Sequence, residues 1–411
     1  MDAPTLAAGA AALPPGTSTR AGRSPGSQSA SARLDGGRNE RAVDAAERTE
    51  AAEQFAPWGG PAALMDAPAD PREARLLNEF QRGFPLVHEP YAAIARRLSA
   101  SESWVRATLA CGVENGQVSR IGAVFRPGSI GVSTLTALAV PYGDLTRVAA
   151  LVSARTEVNH NYEREHRLNL WFVATAADKP ALDAALTAIA RDTGYAPVAL
   201  PLVADYWIDL GFDLAGPTAK TTARAVRRAT GAGDAPEIAL TAADRRLVDA
   251  LEDGLPLVAA PYAAIAEAAG VSEAYVLVRL ADWLNRSVIK RLGIVVRHRE
   301  LGYTANAMCV WDVPDDRTDA LGEALAREPG VTLCYRRRRA LPAWRYNLFC
   351  MLHGHDRRVV EARLAAVAAA HDLDRYPSAV LFSRRAFKQC GARYVQHAIT
   401  NPAVSPALAA A

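Results

Sequence analysis

The fold class this sequence predicts is α+β, a tandem repeat in which a winged helix-turn-helix is followed each time by a ferredoxin-like β-α-β-β-α-β domain. Three observations lead there. First, Gly83-Phe84-Pro85-Leu86-Val87 recurs as Gly254-Leu255-Pro256-Leu257-Val258, and Pro90-Tyr91-Ala92-Ala93-Ile94-Ala95 as Pro261-Tyr262-Ala263-Ala264-Ile265-Ala266, both at an offset of 171. Second, each copy opens with three short helical patterns and an extended stretch. Third, each copy continues with alternating strand and helix patterns. A duplication of this kind lets one chain do the work of a dimer.

The elements follow in order. Residues 1–71 are rich in Ala, Gly, Ser, Pro and Arg, and that composition cannot bury enough apolar surface to offset its ordering entropy; a disordered extension is expected. From Glu73 the positions Leu76, Leu77 and Phe80 have helical spacing, ended by Gly83 and Pro85. Pro90 opens a second helix, and Ser99 or Ser101 caps a third that carries Trp104, Val105 and Leu109. Residues 118–125 then read as the extended wing, which closes a module over 72–127. Strands near 133–140, 157–162, 168–175, 197–203 and 206–212, with helices at 144–154 and 179–193, make the sheet domain, 128–214. Both helices are expected on one face of the sheet, with a partner sheet over the other. A linker at 215–238 precedes the second helical module (239–298), the second sheet domain (299–395) and a tail (396–411). Further along, Arg120-Ile121-Gly122 matches Arg291-Leu292-Gly293, Tyr162 matches Tyr335 at 173, and Asn169-Leu170 matches Asn347-Leu348 at 178. The second copy therefore holds five extra residues before its Asn-Leu pair.

Composition bounds the function. The 411 residues are 50% hydrophobic and 22% charged with a net charge of +3, too small for a wholly nucleic-acid-binding chain. Five cysteines without a Cys-x-x-Cys pair fit reduced thiols in a cytoplasmic protein better than a zinc site or disulfide framework. No apolar run reaches the ~18–20 residues that span a bilayer. A recognition helix needs exposed basic residues, yet residues 102–115 offer only Arg106 against Glu102 and Glu114. Residues 273–286 set Arg279 and Arg286 against Glu273 and Asp282, so no nucleic-acid partner is expected.

Two stretches carry chemistry. Asn159-His160-Asn161-Tyr162-Glu163-Arg164-Glu165-His166 runs into Arg167 and a strand-like apolar run. Alternation places Val158, His160 and Tyr162 on one face and Asn159, Asn161 and Glu163 on the other. Apolar Val158 marks the first face as inward, setting an imidazole beside a phenol, while a satisfied core histidine is the bland alternative. The second stretch is Tyr335-Arg336-Arg337-Arg338-Arg339, followed by Trp344, Arg345 and Tyr346. Four consecutive guanidiniums repel one another; a solvated loop tolerates them, and a ligand with several carboxylates makes use of them. The flanking rings offer flat apolar surface. At the junction of helical module and sheet, Arg126 recurs as Arg297, and only the second copy adds His298.

Arg120-Ile121-Gly122-Ala123-Val124-Phe125, residues 159–173, Arg297-His298-Arg299-Glu300-Leu301-Gly302-Tyr303 and residues 344–354 resemble the siroheme decarboxylases, Lrp/AsnC-like proteins of haem d1 biosynthesis. The resemblance covers roughly 73–395, with the halves similar to two subunit types fused. It implies loss of CO2 from the acetates at C12 and C18 of siroheme, a flat substrate with eight carboxylates, and no cofactor, because the iron belongs to the substrate. Under it His160 is the general acid, Tyr162 its neighbour and His298 a second candidate. Arg126, Asn161, Arg164, His166, Arg297, Tyr335, Arg336, Arg337, Arg338, Arg339, Trp344 and Arg345 are the expected binding residues. No protein metal site is expected; His160 or His166 could instead ligate the substrate iron. Leu333 stands where the first half has His160, so the halves cannot hold equivalent sites. An Lrp/AsnC-type DNA-binding regulator and a non-catalytic tetrapyrrole carrier are the competing classes. Further self-association of the intramolecular pseudo-dimer is open.

Overall fold

Matched prolines, Pro90 and Pro261, start matched helices in the computed structural model, which describes residues 70–208, 230–231 and 238–394. The expected N-terminal extension, most of the linker and the C-terminal tail lie outside the described residues. Helices α1 (Pro71–Glu79), α2 (Pro90–Leu98) and α3 (Glu102–Glu114) precede β1 (Val118–Phe125). The first sheet domain follows as β2 (Val132–Leu138), α4 (Tyr142–Ala154), β3 (Val158–Arg164), β4 (Leu170–Ala176), α5 (Lys179–Thr193) and β5 (Val198–Ile208). After the two-residue β6 (Thr230–Gly231) the order repeats as α6 (Ala242–Glu252), α7 (Pro261–Ala269), α8 (Glu273–Asn285) and β7 (Ile289–Val296). The second sheet domain is β8 (Ala305–Trp311), α9 (Asp315–Ala326), β9 (Val331–Arg337), β10 (Leu348–Gly354), α10 (Arg357–Ala370) and β11 (Ser378–Gln389).

Side-chain oxygens supply the helix starts. Ser101 accepts from the Trp104 amide at 3.1 Å and Ser272 from the Tyr275 amide at 3.2 Å, each satisfying one otherwise orphaned donor. Ser99, the other candidate cap, instead closes α2 with a positive φ of 52°. The two helical modules share one core, and the repeated tyrosines explain how. Tyr91 donates to the Pro256 carbonyl at 3.0 Å while Tyr262 donates to that of Pro85 at 2.9 Å, a reciprocal pair across the pseudo-two-fold. The wings differ from expectation. Each module contributes one strand, and the ribbon forms between halves by antiparallel pairing of β1 with β7, with Gly122 opposite Gly293. A Cβ on Gly293 would lie 2.4 Å from the Phe80 and Gln81 carbonyl oxygens, so only glycine lets α1 approach so closely.

Each sheet domain has the ferredoxin-like strand order, β5-β2-β4-β3 in the first half and β11-β8-β10-β9 in the second. Two strands expected after 197 are one, β5, whose register shifts near Leu202 and Asp205 bend it without breaking it. The partner sheets meet at their edges as well as their faces. Strand β11 pairs with β3, and β5 pairs with β9, so eight antiparallel strands close into a barrel. Closure leaves those strands without exposed edges. Helices cover the outside of each half, while Leu135, Trp171, Leu200, Met308, Trp344, Phe349 and Leu381 fill the interior.

The repeated Asn-Leu pairs are structural. Asn169 accepts from the Val140 amide at 3.0 Å and donates to its carbonyl at 2.8 Å; Asn347 does the same for Val313 at 3.0 and 2.9 Å. The five extra residues of the second copy belong to a loop closed by bridge pairing of Ala340 with Trp344. That loop sends Trp344 inside, against Trp171 at 4.9 Å between ring centroids.

Candidate active site

A cavity of about 310 Å³ lies where the wings β1 and β7 meet the inward faces of β3, β4, β9 and β10 and the segment after β11. Strand alternation fills its walls. On β3 it presents His160, Tyr162 and Arg164, and on β9 Leu333, Tyr335 and Arg337. Among the described residues His298 and His353 are its other histidines, Arg120 and Arg291 come from the wings, and Glu252 is the lone lining carboxylate. Glu252 already accepts from the Tyr394 amide at 2.6 Å and faces Arg393.

The three residues expected to carry the chemistry are together. His160 stacks on Tyr162 with centroids 6.2 Å apart, and its Nδ1 donates to Asn159 Oδ1 at 2.6 Å. That oxygen only accepts, so Nδ1 carries the proton and Nε2 is the nitrogen that exchanges one. Burial, then the Arg120 guanidinium, pushes the His160 pKa down to about 4. His298 is likewise pushed down to about 4, by burial first and then by Arg299, His160 and Arg164. Burial raises the Tyr162 phenol, keeping it protonated; it donates to Gln389 Oε1 at 3.3 Å.

Arg164 is buried, donates to the Leu381 carbonyl at 3.1 Å and lies over the Tyr162 ring at 5.9 Å. Arg337 donates to the Leu200 carbonyl at 2.8 Å, with its guanidinium 4.6 Å from the Tyr335 centroid. Arg120 donates to the Ala123 carbonyl at 3.2 Å. Burial lowers the pKa of all three guanidiniums, the signature of cations taken from water. Arg291, by contrast, is bonded to the carbonyls of Gln81 and Ile294 and ties the wing to α1.

The remaining expected binding residues are placed elsewhere. Asn161 faces α4, donating to the Ala149 carbonyl and Ser153 Oγ. Arg126 is held in a buried cluster with Asp205, which also takes Lys290 at 2.5 Å. Arg297 lies against the Gly116 carbonyl at 3.5 Å. His166 accepts the Leu168 amide at 2.9 Å and packs edge-on to Trp344, which is itself core. Of the arginine run, only Arg337 turns inward. Arg336 pairs with Asp315 and Asp319, and Arg339 with Asp312 and Asp315. Arg345 pairs with Asp312, and Arg338 is exposed. Lining residues given no role from the sequence include Arg120, quoted only within the repeat and the resemblance, and His353. His353 had a readable signal, the inward period Phe349, Met351, His353.

Basic residues of the helix-turn-helix modules are engaged within the chain: Arg106 with Glu102, and Arg279 with Asp244 and Asp282. Among the described residues no cluster of three or more His, Cys, Asp or Glu is arranged to hold a metal ion, and no helix is long and apolar enough to cross a membrane.

Two family models match the chain. A "Siroheme decarboxylase NirDL-like HTH domain" covers residues 73–117 and 244–290, and an "AsnC-like ligand binding domain" covers 129–206 and 300–388. Fold and cavity thus define the class, a duplicated helix-turn-helix and AsnC-like ligand-binding protein in one chain. Within that class the chain belongs to the siroheme decarboxylase family of NirDL type. The siroheme decarboxylase NirDL subunit of Paracoccus pantotrophus is 45% identical over 324 residues, 79% of this chain and 97% of the relative. The siroheme decarboxylase of Hydrogenobacter thermophilus is 32% identical over 324 residues, 78% of this chain and 94% of that one. A crystal structure of the siroheme decarboxylase NirDL in co-complex with an iron-uroporphyrin III analogue aligns with a TM-score of 0.55 and 26% identity, across 79% of this chain and 93% of that chain.

Proposed function

We propose that this chain, a carboxy-lyase, removes CO2 from the C12 and C18 acetates of siroheme to give 12,18-didecarboxysiroheme in haem d1 biosynthesis. The observation that carries the reading is electrostatic. Arg120, Arg164 and Arg337 line one cavity beside Tyr162, Tyr335 and Trp171, and among the described residues none of the three has a carboxylate at ion-pair distance. Cations enclosed without anions favour a ligand that brings its own carboxylates, and the rings accept its flat macrocycle. Each step takes an acetate arm and one proton to a methyl group and CO2. The carbon–carbon bond breaks, its electron pair stays with the tetrapyrrole, and the proton completes the new C–H bond. His160 delivers that proton from Nε2, Tyr162 holds the imidazole plane, and His298 is the second candidate donor. The iron arrives with the substrate and no resident cofactor enters these steps.

Anaerobic siroheme mixed with pure protein tests the reading by product mass. Loss of two CO2 is expected; a shift in the absorption spectrum with unchanged mass would leave a carrier and sink the enzyme. A duplex that shifts in a salt-dependent way would favour a regulator instead. The arginine run provides a second check. Arg337→Ala is expected to weaken siroheme binding by about tenfold or more, the value of one charge-assisted hydrogen bond. Arg339→Ala should leave affinity within about twofold, since its pairs with Asp312 and Asp315 are surface ion pairs. Equal losses in the two titrations would return the whole run to the binding wall.

A further inference from the structure

We propose that the second half keeps a proton-handling histidine of its own, His353, carried on the neighbouring strand, and that Thr332 is the residue that positions it. The inference rests on the decarboxylation reading above. At an offset of 173, β9 repeats what β3 shows the cavity, with Tyr335 for Tyr162 and Arg337 for Arg164, but Leu333 for His160. At an offset of 178, β10 repeats β4, with Met351 for Val173 and His353 for Thr175. The imidazole missing at Leu333 therefore reappears one strand across. Leu333 pairs with Met351, and His353 follows two residues later on the same inward face.

The supports correspond too. In the first half Asn159 bridges the strands, donating from Nδ2 to Thr175 Oγ1 at 2.9 Å while its Oδ1 holds His160 Nδ1. Thr332 occupies the position of Asn159. Its hydroxyl donates to the Met351 carbonyl at 3.2 Å, so the same oxygen accepts from His353 Nδ1 at 2.8 Å. Both imidazoles are thus tied at Nδ1 and exchange protons at Nε2. The titratable and charged groups facing His353 are His298, with ring centroids 4.8 Å away, and Arg164 from β3. With burial they hold its pKa well below the ordinary range, so it rests neutral.

Two acetates need two protons, and on this assignment His160 supplies one and His353 the other. His353 takes a proton from solvent at Nε2 and passes it to the methylene carbon as CO2 leaves. It returns to the neutral Nδ1–H form that Thr332 holds.

Single-turnover product masses test the pair. In His353→Gln the species lacking one CO2 should accumulate, its second loss slowed by about 100-fold or more, the range for a general acid. Thr332→Val should slow that same step about tenfold, the worth of one hydrogen bond, with KM unchanged. Leaving Nδ1–H unpartnered disfavours the imidazolium, so the pH at half-maximal rate of that step should move down; Thr332→Ser should restore both rate and profile. Double loss at the wild-type rate in His353→Gln, loss of neither CO2, or an unmoved pH profile in Thr332→Val would each overturn the assignment. If the wild-type protein releases no CO2 at all, the decarboxylation reading fails first and this inference falls with it.

Discussion

His160→Ala will release CO2 from at most one acetate of siroheme, with the lost step slowed by about 10²–10⁴-fold, the contribution of a positioned general acid. The expectation follows from where the imidazole sits. Its Nδ1 is fixed on Asn159, its ring is stacked on Tyr162, and its pKa is pushed down to about 4 by burial and by Arg120. In the empty cavity it is therefore neutral at pH 7. Burial remains when substrate enters, but a carboxylate set against Arg120 cancels the second cause of the depression and adds a negative charge near the ring, so substrate binding should raise the His160 pKa and draw a proton in. Calorimetry in two buffers of different ionisation enthalpy should show that uptake in the wild-type protein and less of it in His160→Ala. The sign for stability is also determined. A histidine with a folded pKa below its unfolded value of 6.5 leaves the unfolded chain binding more protons between pH 4 and 6.5, so the ligand-free protein gains stability as pH rises through that window. Urea midpoints at pH 5 and pH 7 should differ less in His160→Ala than in the wild-type protein. Turnover of both acetates at the wild-type rate would remove His160 from the mechanism.

Much of this site was legible because strands report their faces. A period of two put His160 with Tyr162, and the same count continues to Arg164, but Val158, read onto that face, packs in the helix-side core because the register shifts between it and His160; the duplication then transfers the wall to Tyr335 and Arg337. Asn161 was expected to bind substrate although alternation set it on the face opposite His160, and it lies on the helix side, where it bonds Ser153. What stayed hidden was non-local. The arginine run looked like one feature, but Arg336, just before Arg337 on β9, is taken up by Asp315 and Asp319, and Arg339, beyond the strand, by Asp312 and Asp315, carboxylates that no local pattern links to the run. Barrel closure depends on β3 meeting β11 and β5 meeting β9, pairings between strands more than a hundred residues apart. His353 escaped notice because it is a single polar residue at the end of an apolar strand, where density of charge draws no attention.

Arg164→Met should move affinity and stability in opposite directions. Arg164 is 8% exposed, its guanidinium is hydrogen-bonded to one carbonyl, and its pKa is lowered by burial, so the ligand-free fold carries a cation that has left water without an anion to meet it. An enclosed unpaired charge costs several kcal/mol, against about 1–3 kcal/mol for a carbonyl left without its donor. The first term wins, and an apolar side chain of similar length should raise the melting temperature of the empty protein. Siroheme binding should fall by about 100-fold or more, the loss of two charge-assisted hydrogen bonds at ~1.5–3 kcal/mol each. A thermal melt and a spectroscopic titration on the same preparation settle it. An arginine that merely braced β3 against β11 would give a lower melting temperature together with weaker binding. One that waits for a substrate carboxylate gives a stabler empty protein that has lost its hold on the ligand.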